Sequence, residues 1–334
     1  MELLIWLVIF VISLYALLKA AEWFGAAAVR VFGLGAKAEL AAAPIAAALP
    51  ELALALAAVL AGHAELAVPI VVGSSIANIL LVAGAAAIAA KSLPVKREYV
   101  ELDAPLLAVC LAIFYFVAGD GMIVFWEGAL LAAAFLIYSV YLIARGGARE
   151  FTPRDLVTPG FLGAGGNIVE IVGARFGRGF GKAGGKNLIG GLFLALGAAL
   201  LLAFSADFAI ESLGSVAAII MIPGVVLALA VLSVAGAVPE LASTLEIVAK
   251  KKYEAALGNV FAGTIVNLFL VCGISAMFSP LPLGREALDF GLPFLLAAAG
   301  VLTVSAFSRK INAGQGLMYL FLYFLFLAKV FNLF

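Results

Sequence analysis

The stretch AAALPELA at residues 46–53 occurs again in altered form as AGAVPELA at residues 235–242. Both copies carry a Pro-Glu pair inside a long apolar segment, and adding 189 to the number of Glu51 gives Glu240. A carboxylate inside a membrane-length apolar segment is costly, and it is therefore a functional candidate by default. Two such carboxylates at equivalent positions of a repeat strengthen this interpretation.

A second motif follows each Pro-Glu pair. GSSIAN at residues 73–78 corresponds to AGTIVN at residues 262–267, so each glutamate precedes an asparagine, Asn78 or Asn267, by 27 residues. The same offset relates further residues outside the motifs, among them Glu22 and Glu211, Glu65 and Glu254, and Gly84 and Gly273. The chain is therefore predicted to consist of two equivalent halves.

The composition is that of a membrane protein. Of the 334 residues, 66% are hydrophobic and only 12% are charged, and the mean hydropathy is +1.21. These values predict an all-α polytopic membrane protein. Twenty basic and twenty acidic residues leave no net charge, which argues against a nucleic-acid partner. One histidine, and two cysteines in apolar segments, argue against a structural zinc site and a disulfide framework.

Ten apolar spans are predicted, at residues 3–24, 38–61, 64–90, 103–119, 122–144, 188–211, 216–249, 254–279, 287–307 and 311–333. A bend or a separate piece is predicted near Pro223, at the start of the seventh span. Residues 1–144 and 188–334 then form two five-helix halves, joined by a glycine-rich basic loop at 145–187. Because five is odd, the second half enters the membrane from the opposite side, as in the inverted repeats of many secondary transporters.

The basic residues are distributed as this topology requires. Seventeen of the twenty lie in one set of alternate loops, which includes the 145–187 segment, whereas the opposite loops hold only Arg285. By the positive-inside rule the basic loops are cytoplasmic, and both termini are predicted to lie outside the cell membrane. No basic region precedes the first span, which is therefore predicted to stay as a helix rather than to be cleaved as a signal peptide.

The two prolines indicate that backbone carbonyls of the motifs are free to bind a ligand. Because proline has no N–H, Pro50 leaves the carbonyl of Ala46 without its helical donor, and Pro239 does the same for Ala235. Small residues around both prolines predict locally unwound helices whose backbone can approach a ligand. The predicted cation site contains only oxygen ligands: the side chains of Glu51, Glu240, Ser74, Asn78 and Asn267, and the backbone carbonyls of Ala46, Ala47, Ala235 and Gly236. Hard oxygen ligands suit Ca²⁺ or Na⁺.

The two glutamates together carry a charge of −2, which one divalent cation neutralises. Without a cation they repel each other, and at least one is expected to take up a proton. The emptied site therefore requires protons or monovalent cations, which gives exchange a physical basis. For Asn78 and Asn267, a hydrogen bond between helices is the alternative to a role as ligands.

These motifs resemble the α-repeats of the sodium/calcium exchanger family of cation/Ca²⁺ antiporters, and the resemblance covers nearly the whole chain. It implies ten helices in two inverted halves, with a cytoplasmic central loop. It also implies that Glu51 and Glu240 bind Ca²⁺ centrally, and that Asn78 and Asn267 flank them. Sliding of the first and sixth helices is implied as the movement that switches access.

The chain departs from the family's pattern in its hydroxyl groups. The family usually has Gly-Thr-Ser before Leu-Pro-Glu, whereas this chain has AAA at 46–48 and AGA at 235–237. Gly263 stands where a serine is expected in the second repeat, and Asn267 stands where some members carry aspartate. These departures make proton coupling, or another cation, an alternative to Na⁺ coupling.

Three hypotheses follow. The first is a secondary antiporter, without a cofactor or enzymatic activity, that exchanges Ca²⁺ for Na⁺ or H⁺ by alternating access at a midplane site. Its partners would be inorganic cations and the lipid bilayer. The second is a transport-inactive or sensing membrane protein with a vestigial cation site. The third, a membrane-embedded enzyme, is disfavoured because the chain has no catalytic set based on histidine or cysteine.

Overall fold

A computed structural model describes residues 1–32, 45–97, 99–144 and 188–333. Within these ranges the chain forms the helices α1 (Glu2–Phe32), α2 (Leu49–Leu60), α3 (Ala64–Ala90), α4 (99–118), α5 (Phe125–Ala144), α6 (Leu188–Ile220), α7 (Gly224–Ala249), α8 (253–278), α9 (Glu286–Phe307) and α10 (Ala313–Val330). The predicted loop at 145–187 and the predicted start of the second span at 38 lie outside the described residues.

The helices make this a polytopic helical membrane protein. Eight of those described are long and apolar enough to cross a membrane, as judged by length and composition. The other two are α2, which has 12 residues, and α5, whose described apolar segment Phe125–Tyr141 is shorter than 18 residues. Large apolar side chains lie exposed along α1 and α6, among them Val8, Ile12, Phe193 and Phe204. Exposed apolar surface of this extent is expected where lipid, rather than water, surrounds a protein.

The predicted boundary between the sixth and seventh spans is wrong. α6 continues to Ile220 instead of ending at 211, because Glu211 lies on an exposed side of the helix and does not interrupt it. The chain then turns at Met221, which has a left-handed φ of 57°, and at Pro223, whose backbone is extended. The bend predicted near Pro223 is therefore the start of α7.

Several helices contain π-helical turns, in which each N–H bonds to the carbonyl five residues earlier. In α3 such a turn covers Ala77–Val82, and in α8 it covers Asn267–Val271. The two turns correspond across the repeat and contain Asn78 and Asn267. Other π-helical segments lie at Tyr99–Asp103, Ala228–Leu232 and Glu286–Gly291. Turns of this kind are frequent at functional sites.

Two short pairs of antiparallel strands join loops of the first half to loops of the second. β1 (Ser92–Pro94) pairs with β4 (Lys310–Asn312), and β2 (Met122–Ile123) pairs with β3 (Leu281–Pro282). The offset of 189 takes β1 onto β3 and β2 onto β4, so the two pairs are equivalent. These strands are not predicted from the sequence, because segments of two or three residues are too short to show alternation.

The centre of the fold is formed by α3 and α8, which are almost entirely buried. Each packs against the last helix of the other half through two glycines. Gly84 of α3 faces Gly316 of α10, and Gly273 of α8 faces Gly128 of α5. A Cβ at any of these positions would lie 3.0 Å or less from a backbone oxygen of the facing glycine. In contrast, α1 and α6 pack chiefly against each other.

The turns that follow α2 and α7 are also equivalent. They contain Gly62 (φ 86°) and Lys251 (φ 61°), which both adopt the left-handed region. In each turn the N–H of the next residue donates to the carbonyl five positions earlier, at 2.8 Å after α2 and 3.1 Å after α7. Both helices thus end with the same hydrogen-bond pattern, which is that of a Schellman motif.

Candidate functional site

The two repeated glutamates form one pair in the interior. Glu51 of α2 and Glu240 of α7 are 0% and 2% exposed, in the region where these helices meet α3 and α8. They approach each other closely enough for their charges to interact directly. In apolar surroundings, two neighbouring carboxylates need a proton or a cation to offset their repulsion. The repeat therefore brings its two costly residues into a single site.

The first Pro-Glu motif lies at the start of a helix. Residues 45–47 are helical, Ala48 forms a turn, and α2 then begins at Leu49. Pro50 occupies the first turn of α2, where its missing N–H would have no helical partner in any case. The predicted interruption is therefore present at this motif, immediately before Glu51.

The second Pro-Glu motif lies inside a helix. Pro239 is within the continuous segment Ser233–Ala249 of α7, so the prediction of an unwound helix at this motif is wrong. Proline removes one hydrogen bond, the one that would reach the carbonyl of Ala235, while the turns on either side keep theirs. The irregular part of α7 lies nearer its N-terminus, in the π-helical segment Ala228–Leu232.

A chain of hydrogen bonds crosses between the halves at Glu51. Ser74 Oγ of α3 donates to Glu51 Oε1 at 2.8 Å, and Asn267 Nδ2 of α8 donates to Ser74 Oγ at 3.2 Å. Both Ser74 and Asn267 are fully buried. Three of the side chains predicted for the site are thus brought together, and they fix α2, α3 and α8 relative to one another.

The surroundings of Glu240 are different. Gly263 stands at the position equivalent to Ser74, so it offers no hydroxyl. A Cβ at position 263 would lie 3.2 Å from Glu240 Oε1 and 3.2 Å from Asn78 Nδ2. Asn78, which is 1% exposed, therefore lies on the side of α3 that faces Gly263 and Glu240. Neither atom of its side-chain amide makes a hydrogen bond of good geometry.

Gly236 of α7 lies against the carboxylate of Glu51. A Cβ at position 236 would be 2.8 Å from Glu51 Oε1 and 2.9 Å from the carboxyl carbon. Distances below 3.0 Å are not tolerated, so a side chain at this position would require Glu51 to move. The sequence predicts that Gly236 offers its carbonyl, and the structure adds that its lack of a side chain lets the carboxylate approach α7.

Five buried oxygen atoms of the site accept no hydrogen bond from the part of the chain that the structure describes. They are Glu51 Oε2, both carboxylate oxygens of Glu240, and the Oδ1 atoms of Asn78 and Asn267. Buried polar atoms without partners are rare and need an explanation. All five are hard oxygens, and three belong to carboxylates. This set suits Ca²⁺, which takes about 6–8 oxygen ligands, with backbone carbonyls or water completing the shell.

The four backbone positions predicted for the site fall into two groups. Ala47 and Gly236 are buried, whereas Ala46 and Ala235 are half-buried. Ala46 faces α1, and Ala235 lines an apolar groove of about 500 Å³ between α1, α7 and α10, together with Val11. That the carbonyls of these four residues bind a cation stays a prediction.

A polar cluster beside Glu240 is not among the residues predicted for the site. Asn259 Nδ2 of α8 donates to Thr244 Oγ1 at 3.0 Å and to Ser243 Oγ at 3.4 Å. Ser243 Oγ donates in turn to the backbone carbonyl of Glu240 at 3.1 Å. Ser243 and Thr244 follow Glu240 by three and four residues, a spacing that puts them on the same side of a helix. That spacing is the signal by which they are recognisable in the sequence.

Comparison with known proteins gives a family match. The sequence model described as "Sodium/calcium exchanger protein" matches residues 5–144 and 190–332. The putative antiporter CaxA of Alkalimonas amylolytica is 26% identical over 275 residues, which cover 80% of this chain and 79% of CaxA. The sodium/calcium exchanger MaX1 of Methanosarcina acetivorans is 30% identical over 111 residues, which cover 33% of this chain and 32% of MaX1.

Two solved structures share the fold. The H⁺/Ca²⁺ exchanger CAX superposes with a TM-score of 0.72 at 16% identity, over 98% of this chain and 86% of CAX. The sodium-calcium exchanger NCX_Mj superposes with a TM-score of 0.62 at 19% identity, over 98% of this chain and 99% of NCX_Mj. At these low identities the similarity is one of fold, and it extends over 98% of this chain.

Proposed function

The chain belongs to the sodium/calcium exchanger family, and on that premise we propose that it is a secondary antiporter that exchanges Ca²⁺ for Na⁺ or H⁺ across the cell membrane. The observation that carries this proposal is the pair of buried glutamates, surrounded by amide oxygens without donors. A charge of −2 inside a membrane requires compensation by a cation or by protons. NCX_Mj is named a sodium-calcium exchanger and CAX an H⁺/Ca²⁺ exchanger, which supports Ca²⁺ as the transported ion and keeps both counter-ions in the proposal.

For the architecture, we propose ten membrane spans in two inverted halves, residues 1–144 and 188–334, with the 145–187 loop on the cytoplasmic side. The equivalent strand pairs, the equivalent turns after α2 and α7, and the family match within each half support two related units. The distribution of basic residues supports a location of both termini outside the cell.

The proposed transport cycle depends on charge compensation. With Ca²⁺ bound, Glu51 and Glu240 are neutralised, and access can switch from one side of the membrane to the other. After Ca²⁺ leaves, protons or monovalent cations must neutralise the pair before access switches back, because two bare charges in the interior are strongly unfavourable. We assign the movement to α1 and α6, which pack chiefly against each other and not into the centre held by close glycine contacts.

Ca²⁺ uptake by liposomes that contain the purified full-length chain tests this function. We expect uptake under a Na⁺ gradient or under an H⁺ gradient when each is imposed separately. Glu51→Gln and Glu240→Gln keep the size of the side chain but remove one charge. Each is expected to lower the initial rate by at least about tenfold, because the loss of one charged partner at a buried site exceeds about 1.4 kcal/mol.

Glu65→Gln is the matched control. Glu65 lies at the start of α3, its side chain is 44% exposed, and it pairs with His63 at 3.4 Å. We expect its substitution to change the rate by less than about twofold. Unchanged uptake in both glutamine variants at positions 51 and 240 would move the site elsewhere. Ca²⁺ binding without uptake under either gradient would instead favour a transport-inactive or sensing protein.

A further inference from the structure

The apolar groove between α1, α7 and α10 has the dimensions of a ligand site. Its volume is about 500 Å³, which falls within the roughly 300–1,000 Å³ of small-molecule sites. Its walls are aliphatic and aromatic side chains, and among the residues that line it only Tyr15 carries a polar group in its side chain. None of the five side chains predicted to bind the cation lines the groove. Its occupant is therefore a separate question from that of the transported ion.

The groove opens towards the lipid. Val11 and Tyr15, which line it on the side of α1, are 63% and 47% exposed. All three of its helices are long and apolar enough to cross a membrane. Along α1 the lining runs from Val11 to Leu18, a length of about 10 Å at a rise of 1.5 Å per residue. The groove is thus elongated along the helices, at a depth where hydrocarbon surrounds the protein.

The chemistry of the lining selects hydrocarbon as the occupant. A water molecule in a cavity needs about two to four polar partners, and the side chains here offer one hydroxyl. A charged or strongly polar solute would lose its hydration without gaining a hydrogen bond. An empty groove would leave its walls without packing partners. The acyl chains of phospholipids are the hydrocarbon present at this depth, and an extended chain matches the elongated shape.

The two halves differ in what covers the alanine that begins each repeated motif. In the first half, Gly25 of α1 lies against Ala46, and a Cβ at position 25 would be 3.5 Å from the Cβ of Ala46. The offset of 189 takes these residues onto Gly214 of α6 and Ala235 of α7. A Cβ at position 214 would meet no atom of the described chain within 4 Å, and Ala235 lines the groove instead.

This difference connects the groove with the packing of α6. The first half shows a packing that is available to the second half, because equivalent residues form both. When α6 lies on Ala235 as α1 lies on Ala46, it covers one wall of the groove and displaces a bound chain. A ligand shifts a conformational equilibrium through its different affinities for the two states. A chain in the groove therefore favours the arrangement in which Gly214 and Ala235 are apart.

We propose that this groove binds one acyl chain of a membrane phospholipid, and that the bound chain has to leave before α6 can close on Ala235. The binding site itself is independent of the proposed function. The effect on closure rests on that function, since it concerns the movement assigned to α1 and α6. The lipid then acts on the rate at which access switches, without contact with the carboxylates.

Native mass spectrometry of the purified full-length chain tests the lipid site. The chain is extracted in a mild detergent and mixed with dioleoyl phosphatidylcholine, and the phospholipids that remain on it are counted by mass. We expect one phospholipid per chain. Val234→Phe fills the groove from the side of α7, and we expect it to lower the lipid-bound fraction by about tenfold or more.

Leu200→Phe is the matched control. Leu200 stands on α6 at the position equivalent to Val11, is 52% exposed and does not line the groove. We expect this variant to keep the phospholipid. Equal lipid binding by the two variants, or none by the unaltered chain, overturns the site. Thermal unfolding verifies the fold of each variant. If Val234→Phe does not fold, Val11→Phe on the exposed side of the groove carries the test.

The initial rate of Ca²⁺ uptake into liposomes tests the effect on switching. Because a phenylalanine at position 234 fills the groove permanently, we expect the rate to fall by about fivefold or more, the lower end of typical coupling between sites. Leu200→Phe is expected to stay within about twofold of the unaltered chain. A folded Val234→Phe variant that transports as fast as this control overturns the coupling. Absence of uptake by the unaltered chain contradicts the proposed function instead, and the lipid measurement still decides the site.

Discussion

The two glutamates differ in the neighbouring side chains that can donate a hydrogen bond to them. Glu51 accepts a hydrogen bond from Ser74, which in turn accepts one from Asn267. Glu240 has Gly263 where the first half has Ser74, and both of its carboxylate oxygens lack a donor in the described structure. The repeat has therefore kept the carboxylates but changed their environments. We expect the two glutamates to contribute unequally to ion binding.

Ser74→Ala removes the donor to Glu51 and the acceptor of Asn267 in one step. Because a hydrogen bond to a charged group contributes about 1.5–3 kcal/mol, we expect Ca²⁺ affinity to fall by about tenfold or more. Calorimetric titration of the purified chain with Ca²⁺ measures this change. The matched control is Ser75→Ala, since the hydroxyl of Ser75 is buried but makes no hydrogen bond. Equal losses in the two variants would contradict the role given to Ser74.

The sequence predicts which side chains form the site better than it predicts how they pair. Glu51, Ser74 and Asn267 are all recognisable from the repeated motifs, and the structure brings them together. The contact between Gly236 and Glu51 joins the two halves. It depends on where α2 crosses α7, which is a property of tertiary packing that the spacing along the chain does not encode.

At the level of the helices, the two copies of the Pro-Glu pair differ in whether the helix around them is continuous. In the first half Pro50 opens α2 after a turn, and in the second half Pro239 lies inside α7 without a break. Proline removes one hydrogen bond in either setting, so the dipeptide alone does not decide whether the helix is interrupted. The prediction of an interrupted helix is therefore correct at Pro50 and wrong at Pro239.

Close glycine contacts hold α3 and α8 in place, and these contacts can be tested by adding a methyl group. Gly84→Ala puts a Cβ 3.0 Å from the carbonyl oxygen of Gly316, and Gly273→Ala puts one 2.8 Å from the backbone nitrogen of Ala132. Because overpacking of this kind costs about 1–3 kcal/mol, we expect both variants to unfold at a lower temperature. Thermal unfolding of the purified chain in detergent measures the shift.

The control for these contacts is Gly314→Ala, at the start of α10, where a Cβ meets no atom within 4 Å. Alanine is a better helix former than glycine by about 1 kcal/mol, so the control is expected to unfold at the same temperature or a higher one. If Gly84→Ala and Gly273→Ala unfold like this control, the two crossings do not fix the centre of the fold.

At the scale of the whole molecule, equivalent turns are predicted to lie on opposite sides of the membrane. The turn at His63 follows α2, the turn at Lys252 follows α7, and five helices separate them. An odd number of spans exchanges the two faces. The sequence alone predicts that the two turns lie on opposite faces. The repeat offset and the positions of the basic loops are both read directly from the order of residues.

Cysteine labelling tests the topology. The native Cys110 and Cys272 are 3% and 0% exposed, so they are expected to react little with a membrane-impermeant maleimide. We expect the reagent to label His63→Cys in intact cells, and to label Lys252→Cys only in everted vesicles or after permeabilisation. Labelling of both cysteines from the same side would contradict the inverted arrangement.

The pairing of β1 with β4 has a consequence for how the molecule is made. Pro94 of β1 meets Lys310 of β4, which the ribosome adds only near the end of synthesis. At roughly 5–20 residues per second, the earlier strand waits about 10–40 s for its partner. During that time α3 also lacks α10, the helix on which Gly84 packs. The first half therefore cannot reach its final packing during translation, and the two halves complete their folding together once the last helix has entered the membrane.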